Sequence, residues 1–328
     1  MPHSNSSLVI EIFLLGFNNL QSIKIFCFLL LLIIFCVTVC GNLLIILVVS
    51  YSRSLHSPMY FFLTQLSITD ILLSANIVPN MLRVVLYEGS FVSFIGCLIQ
   101  FYVFSASEAS ESFLLSVMSY DRYQAICNPL HYNMVMDLTF CMKAVLLCWV
   151  MIFAVILALS VTMNFLWFCG PNVIDHFFCD FDPLIELSCT DPFFFKVEDM
   201  ILAIPFAVCP FFVILVSYVY IIITILKIPS VSGRQKTFST CSSHLAVVSL
   251  YYGSLLSIYL FPNKKSVKKI ISLLYTVVTP LLNPMIYSLI NRDIKQAFKK
   301  LKSKMSSALK MYLLVGFLPF LSTSSRVQ

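Results

Sequence analysis

The chain alternates between long apolar stretches and short polar ones. A helix needs roughly 20 mostly apolar residues to cross a bilayer. Seven stretches have about that length: 25–49, 59–82, 94–120, 141–166, 197–226, 239–261 and 270–290. The second and third carry Asp70, Glu108 and Glu111, which lower their hydropathy. They read as spans all the same, because irregular backbone exposed to lipid strands its peptide groups. Beyond the seventh, Ile294, Ala297, Phe298 and Leu301 fall at helical spacing with Lys295, Lys299 and Lys300 opposite. That is the pattern of an amphipathic helix on an anionic membrane surface. The expected fold is an all-α membrane protein, a seven-transmembrane helix bundle over 25–290. Residues 1–24 form an N-terminal segment, and 291–328 a tail that opens with the amphipathic helix. A further apolar run, 311–321, contains Gly316 and Pro319 and is too short and broken to span. It reads as a tail lying on the membrane or partly disordered.

Composition agrees. Of 328 residues, 59% are hydrophobic and 11% charged, and the mean hydropathy is +0.94. Soluble domains carry about 25% charged residues, so a soluble enzyme, a nucleic-acid binder and a disordered chain are all excluded. No nucleic acid is expected as a partner; the bilayer is. The first 22 residues lack the basic start of a cleavable signal peptide, so the first span is expected to insert itself. No internal repeat is visible, which argues against a transporter.

Charge placement predicts orientation. Arg53, Arg122, Lys143, Lys227, Arg234, Lys236 and eight basic residues of the tail fall on one side of the membrane, fourteen in all. The other side holds seven: Lys24, Arg83, Lys196, Lys264, Lys265, Lys268 and Lys269. The N-terminus is therefore expected outside and the C-terminus in the cytoplasm, with the four-lysine loop counting against that assignment. Asn5-Ser6-Ser7 then offers an N-glycosylation acceptor on the outer side. Cys97, Cys169, Cys179 and Cys189 fall on the same oxidising side, where four cysteines allow three pairings. The loop 170–199 holds seven acids against the single Lys196. It reads either as a solvated loop or as an attractive field over a cavity mouth.

Carboxylates inside spans point to function, because burying them is costly. Asp70 and Glu111 lie near the middles of the second and third spans. Two such groups would share a proton or hold a small cation such as sodium, the alternative being a neutral hydrogen-bonded pair. Glu108 lies one turn from Glu111 on the same face. It suits an amine or hydroxyl ligand, or else a protonated group bonded to a nearby serine or carbonyl. Asp121-Arg122 ends the third span as an exchangeable ion pair or an interfacial anchor. No catalytic motif is present, and the five histidines are scattered, so no enzyme is expected.

Five longer motifs add a resemblance. Gly41-Asn42 fits the G-protein-coupled receptor superfamily. Pro58-Met59-Tyr60-Phe61-Phe62-Leu63, Met118-Ser119-Tyr120-Asp121-Arg122-Tyr123, Lys236-Thr237-Phe238-Ser239-Thr240-Cys241-Ser242-Ser243-His244 and Pro280-Leu281-Leu282-Asn283-Pro284-Met285-Ile286-Tyr287 resemble the olfactory receptor branch of the rhodopsin-like receptors. The resemblance covers roughly 8–302. It implies disulfides Cys97–Cys179 and Cys169–Cys189, an activation switch at Asp121, Arg122 and Tyr123, and a sodium site at Asp70 and Glu111. It also implies an odorant cavity lined by Phe104, Ser105, Glu108, Tyr252, Leu255, Tyr259 and Thr276, with Tyr252 as a lever on the sixth span. The implied function is odorant binding at the plasma membrane, coupled to a stimulatory heterotrimeric G protein that raises cyclic AMP. The family commonly has a small or apolar residue where Glu108 stands, so the small volatile odorant would be an amine or another hydrogen-bonding molecule. The alternative is a chemosensory receptor for amines or other small molecules outside the nose, and after that a transporter.

Overall fold

A computed structural model describes residues 11–17, 22–168, 171–260, 265–291, 293–304 and 306, without the side chains of 236, 239, 240, 259, 265 and 266. Asn5, Cys169 and the run 311–321 lie outside the described residues, as does the side chain of Tyr259.

Seven long helices form the bundle. They are α1 (Lys24–Tyr51), α2 (Pro58–Tyr87), α3 (Phe94–Cys127) and α4 (Leu138–Thr162). Then come α5 (Phe193–Ala203, a π turn Ile204–Val208, then Cys209–Lys227) and α6 (Val231–Leu260). The last, α7, is Lys265–Leu273, a π turn Leu274–Val278, then Thr279–Ile290. An eighth helix, α8, covers 293–304. Local chemistry sets several starts. Pro58 opens α2, where its missing N–H costs nothing. Ser93 Oγ accepts from the Gly96 amide at the head of α3, and Asp137 accepts from Thr139 at the head of α4.

Among the described residues six helices are long and apolar enough to cross a membrane, and α3 is not one of them. The reason is position. The α3 helix packs against α2, α4, α5 and α6, so it meets protein rather than lipid. It buries Gln100, Ser107, Glu111, Ser112, Ser119 and Asp121. Polar groups are tolerated there because neighbouring helices can satisfy them. The outer helices show the reverse, with Phe26, Leu47, Leu146 and Phe212 exposed as a lipid face.

The helices run past the apolar stretches that predicted them. The α3 helix continues to Cys127, α6 begins at Val231 and α7 at Lys265. Hydropathy registers only the part of a helix in hydrocarbon, and these extensions are polar or basic. In α8, Ile294 and Ala297 are buried against the bundle and Leu301 packs beside them, while Phe298 points outward.

One end is capped. Strand β1 (Glu11–Leu14) pairs antiparallel with β2 (Ser90–Ser93) and parallel with β3 (Val173–Ile174). Cys97 at the head of α3 is bonded to Cys179 in the loop after α4, and Cys189 is disulfide-bonded too. Lys269 of α7 holds the cap from below, donating to the Gly16 carbonyl and to Asp175. Phe177 and Phe178 are fully buried under it.

Candidate functional site

Beneath that cap lies a cavity of about 330 Å³. Phe104, Ser105 and Glu108 reach it from α3, Tyr251 and Leu255 from α6, and Tyr275 from α7. Ile156, Leu159 and Phe206 supply an apolar wall, and Asp180 and Phe181 form the roof. The aromatic packing is tight: the Phe104 ring meets Phe178 at 5.0 Å and Tyr275 at 6.0 Å. Glu108 is the exception to this satisfaction. Both its carboxyl oxygens are sealed from solvent and have no hydrogen-bond partner among the described residues. The nearby Tyr251 hydroxyl donates instead to the Glu108 backbone carbonyl at 3.0 Å. No lysine or arginine lines this cavity among the described residues, whereas Asp180, Asp182 and Asp199 do.

A second cavity of about 360 Å³ lies nearer the cap and shares Asp180, Ile258 and Tyr275 with the first. Burial pushes the Asp180 carboxyl up to about 7, helped by Asp182 and Asp199 and opposed by the Phe181 amide it accepts from. Burial also drives His176 down to about 3, so this imidazole is neutral beside Lys269. Asp182 is paired with Lys268 at 3.1 Å.

One turn deeper on α3, Glu111 is fully buried with Asp70. The Asn283 amide of α7 donates to both Asp70 oxygens at 3.1 Å and to Glu111 Oε1 at 3.2 Å. Glu111 Oε2 and Asn283 Oδ1 have no hydrogen-bond partner among the described residues. Two carboxylates with free oxygen lone pairs and an amide carbonyl suit a hard cation. Asn283 was missing from the expected set; its signal is the Asn-Pro pair at Asn283-Pro284.

At the opposite end of α3, Arg122 pairs with buried Asp121 at 3.5 Å, and the Tyr132 hydroxyl donates to Asp121 Oδ1 at 2.8 Å. Burial and the Asp121 charge raise the Tyr132 phenol, so it stays a donor. Tyr123 stands apart, its ring 6.1 Å from Tyr120 and 5.8 Å from Tyr220. Between this end and the middle, His244 links three helices. Its Nδ1 pairs with the Tyr218 hydroxyl of α5 at 2.7 Å and its Nε2 with the Leu115 carbonyl of α3 at 3.1 Å.

A family model described as olfactory receptor matches residues 26–304. The chain belongs to the olfactory receptor family. Olfactory receptor 11L1 of Homo sapiens is 46% identical over 303 residues, spanning 92% of this chain and 94% of that one. Olfactory receptor 10A3 of Homo sapiens is 43% identical over 92% of this chain and 97% of its own. Olfactory receptor 5P60 of Mus musculus is 44% identical over 92% and 94%. The receptor is thus an odorant-sensing, G-protein-coupled, multi-pass protein of the plasma membrane and not an enzyme.

Within the receptor, Phe104, Ser105, Glu108 and Leu255 line the first cavity. Tyr252 and Thr276 are not among the residues that line it. Tyr252 pairs with Ser112 at 2.8 Å and packs on Phe211 of α5, and its neighbour Tyr251 faces the cavity. Adjacent tyrosines lie about 100° apart on a helix, so periodicity alone cannot choose between them. Thr276 is buried and donates to the Ser272 carbonyl, and Tyr275 takes its place in the wall. Here the π turn Leu274–Val278 adds a residue and rotates the register counted outward from Asn283. Asp180 reaches the cavity through the Cys97–Cys179 bond; the acidic loop had signalled only a field near a mouth.

Proposed function

We propose that this receptor binds a small amine or other hydrogen-bonding odorant at Glu108 and thereby activates a stimulatory G protein, raising cyclic AMP. The observation that carries the ligand class is the sealed Glu108 carboxyl, with no hydrogen-bond partner among the described residues, in a cavity that Asp180, Asp182 and Asp199 also line and to which no described lysine or arginine contributes. An uncompensated buried carboxyl is unfavourable, and a ligand ammonium or hydroxyl would satisfy it. The N-terminus faces outside and the C-terminus the cytoplasm, supported by the fourteen basic residues on the Arg122 side. Arg122 then lies on the G-protein side. The ligand acts by binding more tightly to the state in which α6 has moved away from α3. The His244 contacts to Leu115 and Tyr218 are ones that such a movement must change. Asp70, Glu111 and Asn283 hold a sodium ion in the resting state.

The test is a cyclic AMP assay in cells expressing the receptor at their surface, over an odorant panel that includes amines. Amines should raise cyclic AMP, and Arg122→Ala should abolish that rise while leaving ligand-induced thermal stabilisation of the purified receptor. No response to any amine would remove the ligand class; normal signalling by Arg122→Ala would remove the switch.

A further inference from the structure

The cavity has two acidic poles rather than one. Glu108 forms the deep pole. Asp180 forms the other, held at the roof by the Cys97–Cys179 bond next to it in sequence. The Cys179 amide donates to Gln100 Oε1 at 3.0 Å and Phe181 packs on Phe101 at 6.4 Å between ring centroids, which sets Asp180 at the level of Gln100 and Phe101 on α3. From Phe101 to Glu108 the helix rises roughly 10 Å. Between the poles the wall is aromatic and aliphatic, with Phe104, Tyr275 and Leu255.

No lysine or arginine among the described residues pairs directly with the Asp180 carboxyl. Lys268, whose charge acts on Asp180 from a distance, is paired with Asp182 at 3.1 Å. Asp199 adds a further negative charge at the rim. Among the described residues the Asp180 carboxyl accepts from the adjacent Phe181 amide at 2.8 Å, which leaves lone pairs for an incoming donor. Glu108 and Asp180 also repel one another across the space. A ligand with a single ammonium relieves one pole and leaves the other.

The geometry points to a linear α,ω-diamine as the preferred ligand class, one ammonium on Glu108 and the other on Asp180, with the methylene chain along the aromatic wall. This rests on the amine reading of Glu108 and goes beyond it by assigning the second pole and the spacing. Each ammonium stands about 3 Å inside its carboxyl, so poles roughly 10 Å apart along the helix take two ammonium groups roughly 5–9 Å apart, the reach of chains of about four to six carbons. The apolar chain gains from burial against Phe104 and Leu255, so the longer diamines of that range gain most contact.

The test compares hexylamine with 1,6-diaminohexane on the full-length receptor, by cyclic AMP in cells and by thermal stabilisation of the purified protein. The readout is the ratio of half-maximal concentrations, which does not depend on expression level. A second charge-assisted contact should make the diamine about tenfold more potent. Asp180→Asn keeps an oxygen that can accept from the Phe181 amide and should collapse the ratio to near one, while Asp180→Glu, which keeps the charge, should retain most of it. A wild-type ratio near one, or a ratio that Asp180→Asn leaves unchanged, overturns the diamine assignment and leaves the amine reading standing. Neither signalling nor stabilisation by either compound overturns the amine reading, and the diamine assignment with it.

Discussion

Glu108 and Glu111 share a helix, a face and a chemistry, and their surroundings differ completely. Glu111 meets the Asn283 amide and lies beside Asp70, so part of its burial is compensated inside the protein. The Glu108 carboxyl finds no hydrogen-bond partner among the described residues. The first is built into the packing of α2, α3 and α7; the second opens on a cavity. One turn of helix thus separates a carboxylate that serves the structure from one that awaits a partner. Burial alone does not distinguish them. The accounting of hydrogen bonds does.

The comparison can be broken most directly at Glu108. Glu108→Gln should lower amine potency by about 100-fold, the loss of a charge-assisted contact in a dry site, with surface expression unchanged. Equal amine potency in dose–response curves would show that Glu108 does not touch the ligand. At Glu111 the expectation reverses. Glu111→Ala strips Asn283 of one acceptor and should cost about 1–3 kcal/mol, seen as a lower thermal midpoint of the purified receptor. If Glu108→Gln destabilises more than Glu111→Ala, the distinction between the two carboxylates fails.

Sodium sharpens the same contrast with a smaller effect. Replacing a bulky organic cation by sodium should raise the wild-type midpoint, and Glu111→Gln should remove that rise while Glu108→Gln keeps it. An identical rise in both variants would move the ion elsewhere.

The smallest effect is on pH. The folded-state value of Asp180 is raised to about 7, so its favourable contribution is present at acid pH and lost as pH rises towards 7. That of His176 is lowered to about 3, so its contribution is complete above the ordinary imidazole value and declines as pH falls below about 6.5. The groups facing Asp180 are the Phe181 amide, Asp182, Asp199 and Lys268, with Glu108 across the cavity. Between pH 5 and 6.5 the two residues oppose each other. Asp180→Asn should remove the falling slope that Asp180 contributes, so over that interval the variant's midpoint should rise relative to that of the wild type. Parallel profiles of variant and wild type would contradict the Asp180 assignment.

Much of the bundle is legible in the chain because lipid imposes a simple rule: about 20 apolar residues where a helix faces hydrocarbon. The rule weakens at α3, whose neighbours are protein. It misses the helix ends, where Val231 and Lys265 begin helices in polar sequence. The site was half legible. Glu108, Glu111 and Asp70 stand out because carboxylates in spans are rare and costly. Tyr251 and Tyr275 do not, because helix rotation and an inserted π residue decide which side chain faces inward. His244 looked like one scattered histidine, although it joins α3, α5 and α6.

The sequence alone determined that this chain lives in a bilayer, how many times it crosses, and to which receptor family it belongs. Those properties follow from composition, run length and contiguous motifs, which are local. Which carboxylate has a partner was decided only by the tertiary structure. Asn283 lies far along the chain from Glu111, and Asp180 is brought over the cavity by a disulfide whose cysteines are 82 residues apart. Partnership between side chains is a property of distance in space, and no local pattern carries it.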